Sequence, residues 1–363
     1  MKKKIVNITI SIISIFITLL LLEFFFRLYY GKVSGKVIPL SLKIHKKVKN
    51  QNLKYTLIPN SSVFQDNVEY KINSFGIRDY PDHTNELNSE KFKIAAVGDS
   101  FTFGLGVNLK DTWPKQLEQM LYSKYGKGFK VYNFGVMGYD LTQNIENIRE
   151  KVLGLKPNLI IVGYCINDVG IFSREYTEIN YFKGYRKFLK TGIPFIDRIL
   201  DTSKLYQFIK TRLYMKKTKK SFKKIEKPKD ARLALRRGYH NYLEELYNNE
   251  KVVKKLNEKF ALLGEISRIN KIPIVIALFP ELKDFANYRF FHAHEIIKEA
   301  CNRYNLYFID LWSCVNKYKE EELRLNAINL HPNPFGYKLF SQCILKYLSE
   351  TGLLTNQSDT LNK

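Results

Sequence analysis

The longest apolar stretch of the chain lies near its start. Ile5 to Leu22 carries no charge and is mostly apolar, which as a helix spans about 27 Å, close to the hydrocarbon thickness of a bilayer. Glu23 and Arg27 stand at its far margin, with Tyr29 and Tyr30 as interfacial aromatics. Beyond it the apolar runs shorten and alternate in kind. Phe92 to Val97 and Leu159 to Tyr164 have the length and β-branched content of buried strands, and Val131 begins a short strand that runs into a glycine-bearing loop. Ile272 to Phe279 and Leu306 to Leu311 read as further strands. Helical spacing begins at Thr112-Trp113-Pro114 with Leu117 and Leu121, and recurs over Val252 to Ile269, His292 to Tyr304 and Tyr337 to Leu348. This alternation predicts an α/β fold: a three-layer α/β/α sandwich with a mainly parallel sheet, plus an N-terminal transmembrane helix.

The pattern divides the chain. Residues 1–30 form a cytoplasmic start and transmembrane anchor, and 31–90 a connector and small extended subdomain. Residues 91–352 form the main domain with a basic helical insertion at about 170–247, and 353–363 a disordered tail. No small-residue cleavage site follows the apolar stretch, so an uncleaved anchor is expected. Lys2 to Lys4 favour a cytoplasmic start, whereas Arg27, Lys32, Lys36, Lys43, Lys46 and Lys47 pull the other way, and charge alone does not fix the orientation.

Composition adds two constraints. With 363 residues and 45% hydrophobic content the chain can bury one large core with appendages. Its formal charge of +24 is densest between Lys210 and Arg237, including Lys216, Lys217, Lys219, Lys220, Lys223 and Lys224. Aromatics are few there and no nucleic-acid module surrounds the cluster, so a solvated face, or contact with anionic lipid headgroups or acidic glycan, is expected and nucleic acid is not. Cys165, Cys301, Cys314 and Cys343 show neither metal-ligand nor disulfide-framework spacing and read as buried thiols.

The candidate chemistry starts at Ala95-Ala96-Val97-Gly98-Asp99-Ser100-Phe101-Thr102-Phe103-Gly104, where an apolar run ends on a Gly-Asp-Ser turn. A serine on a strand-to-helix turn presents its oxygen at the carboxyl edge of a sheet, where ligands collect. Alone, such a turn is more often only a turn. Three blocks follow in order: Val131-Tyr132-Asn133-Phe134-Gly135-Val136-Met137-Gly138-Tyr139, the Leu159 to Tyr164 strand closed by Asn167-Asp168, and His331-Pro332-Asn333-Pro334-Phe335-Gly336-Tyr337 opening the last helix. Together the four blocks resemble the SGNH (GDSL-type) hydrolase family, over roughly residues 55 to 350. The nearer likeness is to the branch with an N-terminal membrane anchor and an Ile-Asn-Ser-Phe-Gly-Ile-Arg-Asp segment, here Ile72 to Asp79.

The resemblance implies an SGNH or flavodoxin-like sheet domain and acyl transfer without cofactor or metal. Ser100 would be the nucleophile and His331 its base, since serine needs a partner whose pKa suits neutrality. The Ser100 N–H, the Gly138 N–H and the Asn167 amide would form the oxyanion hole. Two departures stand out. Cys165 occupies the place of the family's Gly two residues before Asn167, and Ile328 and Asn329 stand where the family has an Asp before its His. An Asn can hold the ring but supplies no charge, and in a chymotrypsin-type triad Asp to Asn costs roughly 10⁴-fold. Either a Ser100-His331 dyad works with Asn329, or Asp310 or one of Glu320 to Glu322 reaches the ring, or catalysis is weakened or lost. The implied function is a membrane-anchored serine esterase removing O-acyl groups, acetyl foremost, from a cell-envelope glycan or a related small ester. An O-acetyltransferase using the same site and a catalytically silent glycan-binding or assembly protein are the alternatives. By resemblance the catalytic domain lies outside the cytoplasm; the oligomeric state is open.

Overall fold

Alternate side chains of the apolar runs serve two different helical layers, and this fixes the architecture. The computed structural model describes residues 2–32, 44–80, 92–126, 128–170, 191–203, 205–206, 208–210, 212–213, 216, 238–327 and 329–354. The elements are α1 (Lys2–Lys32), β1 (His45–Lys47), β2 (Tyr55–Leu57), β3 (Ser62–Gln65), β4 (Val68–Lys71), β5 (Phe92–Gly98), α2 (Ser100–Phe103), α3 (Trp113–Tyr125), β6 (Phe129–Asn133), α4 (Leu141–Asn147) and β7 (Leu159–Cys165). There follow α5 (Pro194–Thr202), α6 (Tyr239–Tyr247), α7 (Glu250–Asn270), β8 (Ile274–Phe279), α8 (Phe291–Arg303), β9 (Tyr307–Asp310), α9 (Trp312–Val315), α10 (Glu320–Leu323) and α11 (Pro334–Glu350).

The main sheet is parallel throughout, in the order β6-β5-β7-β8-β9. Along β5, Ile94 and Ala96 join one apolar cluster with α3 and α11 while Ala95 and Val97 join the other with α4, α6, α7 and α8. β7 and β8 divide in the same way, with Ile160, Val162, Ile274 and Ile276 on one face and Leu159, Ile161, Val275 and Ala277 on the other. A period of two with both faces covered is what a parallel sheet between helical layers requires, and the expected three-layer α/β/α sandwich is present. Relative to chain order this is the flavodoxin-like 2-1-3-4-5 arrangement, whose switch point lies beside its first strand, here β5.

Chain contacts separate two units. One comprises Met1–Lys43, Phe64–Asn67 and Thr177–Glu226; the other Ile44–Val63, Val68–Tyr176 and Lys227–Lys363, which contains the sheet. In the first unit, Val6–Phe25 of α1 is long and apolar enough to cross a membrane, with a mean hydropathy of 2.5.

Several expectations change. The insertion expected to run to 247 ends earlier, because Tyr242, Leu243, Leu246 and Tyr247 of α6 are buried in the sheet-facing core. Cys314 and Cys343 form a disulfide linking α9 to α11, whereas Cys165 and Cys301 are buried thiols as expected. Of the expected tail at 353–363, Leu353 and Leu354 pack on the core; residues 355–363, the connector at 33–43 and Lys217, Lys219, Lys220, Lys223 and Lys224 lie outside the described residues.

Candidate active site

Ser100 is the first residue of α2, immediately beyond the carboxyl end of β5. Asp99 caps this one-turn helix, its Oδ1 accepting from the Phe101 N–H at 2.8 Å. Two glycines make room beneath. Gly98 and Gly163 are register partners on β5 and β7, and a Cβ on either would collide with the Thr102 hydroxyl. Gly104 closes the turn at φ +82, returning its N–H to the Ser100 carbonyl at 3.0 Å; left-handed backbone of this kind favours glycine.

The turn is held from outside by Arg78, the arginine of the Ile72 to Asp79 segment. Its side chain is fully buried and donates to the carbonyls of Phe103 (2.8 Å), Gly104 (2.6 Å) and Val107 (2.7 Å), with the guanidinium 4.5 Å from the Tyr70 ring centre. Burial lowers its pKa to about 10, which leaves it charged near neutrality. Arg78→Met strands the buried carbonyls of Phe103 and Val107 and leaves that of Gly104 with only the Val107 N–H at 3.4 Å, so at roughly 1 kcal/mol or more for each stranded group a loss of about 2–3 kcal/mol is expected in urea unfolding. An unchanged midpoint would deny Arg78 this role.

His331 comes from the loop before α11. Asn333 caps that helix through Gly336, so His331 lies upstream of the helix proper. The loop is pinned to the chain after α10 by Leu325 N–H to the His331 carbonyl (2.9 Å) and Asn333 N–H to the Leu323 carbonyl (2.8 Å). The His331 Nε2 stands 2.8 Å from the Ser100 Oγ, and its Nδ1 stands 2.6 Å from the Asn329 Oδ1. An amide oxygen only accepts, so Nδ1 carries the proton and Nε2 offers a lone pair to the serine hydroxyl. Desolvation lowers the His331 pKa to about 4, and the ring is therefore a neutral base at ordinary pH.

The candidate oxyanion donors follow the two strands that flank β5. Gly138, at φ +72, is in the loop after β6, and Asn167 is in the turn Ile166–Val169 after β7. Among the described residues neither the Gly138 N–H nor the Asn167 amide has an acceptor. The Gly138 loop is fixed on both sides: the Tyr55 hydroxyl donates to the Met137 carbonyl at 2.8 Å, and the Tyr139 hydroxyl donates to the Tyr55 carbonyl. A Cβ on Gly135 would meet the Phe103 N, so the loop lies directly against the nucleophile turn. Asp79 accepts from the Asn133 N–H at the end of β6 (3.0 Å) and pairs with buried Lys115 at 2.7 Å. Tyr55, Arg78, Asp79 and Lys115 thus support the site, and none was singled out from sequence as a site residue.

Beneath Ser100 lies a buried acidic pocket. The Cys165 thiol donates to Asp99 (3.4 Å) and its N–H to Asp168 (3.2 Å), and burial raises the pKa of all three groups. The thiol in place of glycine is thus a protonated donor to the capping carboxylate.

Asp310 is not at His331. It ends β9, three strands along the sheet from β5 and on the order of 14 Å away at strand spacing. Its Oδ2 takes the His294 Nδ1 at 2.8 Å, and Oδ1 takes the Trp312 N–H at 2.9 Å. Glu320, Glu321 and Glu322 are likewise engaged elsewhere, with the Asp284 N–H, Arg324 and the Lys319 N–H. Asp310→Asn is therefore expected to leave ester turnover within about twofold of the parent and to cost roughly 1–3 kcal/mol of stability; a much larger fall in kcat in a folded variant would place Asp310 in the site after all.

A model of the GDSL-like Lipase/Acylhydrolase family matches residues 96–339. No curated protein sequence matches the chain. Similar solved structures include that of TesA (11% identity, TM-score 0.43, covering 72% of this chain and 99% of that one) and a lipase/acylhydrolase from Enterococcus faecalis (14%, 0.38, 72% and 96%). Another is a mutant acetyl-xylooligosaccharide esterase from Geobacillus Stearmophilus (14%, 0.41, 74% and 96%). The family match spans most of the sheet domain and contains Ser100, Gly138, Asn167 and His331, and the chain belongs to the GDSL-like lipase/acylhydrolase family.

Proposed function

We propose that this serine hydrolase is a membrane-anchored esterase that removes O-acyl groups, acetyl foremost, from a cell-envelope glycan through a seryl acyl-enzyme. The observation that carries the chemistry is the hydrogen-bond chain Ser100–His331–Asn329. In the forward step the Ser100 Oγ attacks the ester carbonyl and the His331 Nε2 takes its proton. The negative oxygen of the tetrahedral intermediate is stabilised by the Ser100 N–H, the Gly138 N–H and the Asn167 amide, each donor worth roughly 3–4 kcal/mol by analogy with a protease oxyanion hole. The imidazolium passes the proton to the departing sugar oxygen. Water then enters, gives its proton to Nε2, and releases the carboxylic acid as Ser100 regains its hydrogen.

Anchoring is supported by the apolar span Val6–Phe25, and a catalytic domain outside the cytoplasm by the Cys314–Cys343 disulfide, since such bonds persist in oxidising surroundings. The glycan substrate rests on that location and on the basic insertion. A fluorophosphonate probe tests the nucleophile: covalent labelling of the parent and none of Ser100→Ala is expected, and a folded parent that takes no label rejects the reading. Acetyl release to water, against transfer to added oligosaccharide, then separates esterase from acetyltransferase.

A further inference from the structure

Helix α5 in the insertion carries large apolar side chains that contact little protein. Phe195 is 72% exposed, Ile199 53% and Ile196 39%, and Ile193 just before the helix is 53% exposed. Phe195 and Ile199 are four residues apart and Ile196 and Ile199 three, so these side chains share one side of the helix. Two observations identify what covers them.

The first is depth. The carboxyl end of α5 is bonded to α1 where its apolar span ends. Glu23 accepts from the Ser203 hydroxyl at 2.8 Å and the Leu205 N–H at 3.0 Å, while Arg27 donates to the Thr202 carbonyl at 3.1 Å and pairs with Glu23 at 2.7 Å. If Val6–Phe25 crosses the bilayer, residues 23–27 emerge at the headgroup level, and α5 is tied there. The second is charge. From Ser203 to Ile225 the chain has Lys204, Lys210, Arg212, Lys216, Lys217, Lys219, Lys220, Lys223 and Lys224 and no acidic residue; Arg212 and Lys216 are exposed. An exposed apolar face continued by a cationic run is the composition of an interfacial helix on an anionic membrane.

We infer that α5 is a second membrane contact, lying in the headgroup boundary of an anionic bilayer beside the emergent end of α1 with Phe195, Ile196 and Ile199 turned to the acyl chains. This rests on the anchored reading above. A single transmembrane helix lets an attached segment swing; a second contact tied to Glu23 and Arg27 holds the insertion against the surface.

The test uses the full chain in nanodiscs of phosphatidylcholine and phosphatidylglycerol, labelled with an environment-sensitive fluorophore at one introduced cysteine. The free thiols Cys165 and Cys301 are buried and stay unlabelled. Probes at Phe195→Cys and Ile199→Cys are compared with Phe16→Cys in α1 and with Gln119→Cys on the exposed side of α3. Quenching by doxyl-labelled lipid at 195 and 199 is expected to exceed that at 119 by about threefold or more, as suits a depth of roughly 5–10 Å, and to weaken in discs of phosphatidylcholine alone. Quenching at 16 but not at 195 or 199 overturns the inference and leaves the anchor standing. No quenching at 16 defeats the anchored reading and this one with it. Blue-shifted but unquenched emission at 199 means that protein covers the helix and also overturns the proposal.

Discussion

Exchanging His331 for alanine is expected to lower the hydrolysis of an activated acetyl ester by about 10⁴-fold, and Ser100→Ala to lower it at least as far. The size follows from two limits. In a protease with a full triad, removing serine or histidine costs on the order of 10⁶ in kcat, and exchanging the triad Asp for Asn alone costs roughly 10⁴. Were Asn329 as poor a partner as that Asn, a working histidine here would be worth only about 10². The protease variant suffers largely because its asparagine selects the wrong tautomer. Here the Asn329 oxygen faces Nδ1 at 2.6 Å and Nε2 faces the serine at 2.8 Å, so the tautomer is right and only the charge is missing. Steady-state kinetics with circular dichroism to verify folding checks the value. A His331→Ala rate within tenfold of the parent would mean that the Ser100–His331 bond carries no proton transfer.

The parts of this site that sequence revealed are those encoded by short-range rules. The Gly-Asp-Ser turn, the loop glycines and the Pro-Asn-Pro segment after His331 act within a few residues of themselves, through capping and positive φ. The central strands β5, β7 and β8 were legible because their apolar runs are buried on both faces. The supports were not, because they act across the chain: Arg78 reaches Phe103, Gly104 and Val107, and Tyr55 reaches Met137. A buried arginine has no period, and only its setting in the Ile72 to Asp79 segment drew attention to that stretch. Asp310 was a fair candidate by chain position and fails by strand order, because β9 is the far edge of the sheet. Spacing likewise hid the Cys314–Cys343 bond, since proximity there comes from packing α9 on α11.

The opposite exchange, Asn329→Asp, restores the missing charge and is expected to raise kcat/KM for an acetyl ester by about 5- to 30-fold. A hydrogen bond to a charged group is worth roughly 1–2 kcal/mol more than its neutral counterpart, which at about 1.4 kcal/mol per decade gives that range. The gain stays below 10⁴ because the tautomer is already correct. The pH profile gives a second readout. In the parent, burial holds the His331 pKa near 4, so the base stays neutral and the rate is level from neutrality down to about pH 5, falling only as Nε2 becomes protonated. A carboxylate at 329 favours the imidazolium and moves that pKa upward by roughly 1–3 units, so the acid limb of the variant shifts toward pH 5–7. The stability signs agree. With a folded pKa below the unfolded value of 6.5, the parent binds fewer protons when folded and loses stability as pH falls from about 6.5 toward 4, and the variant's raised pKa reduces or reverses that loss. A faster enzyme with an unmoved acid limb would place the gain outside the His331–329 hydrogen bond. A slower one would mean that the site is built around a neutral partner for its histidine.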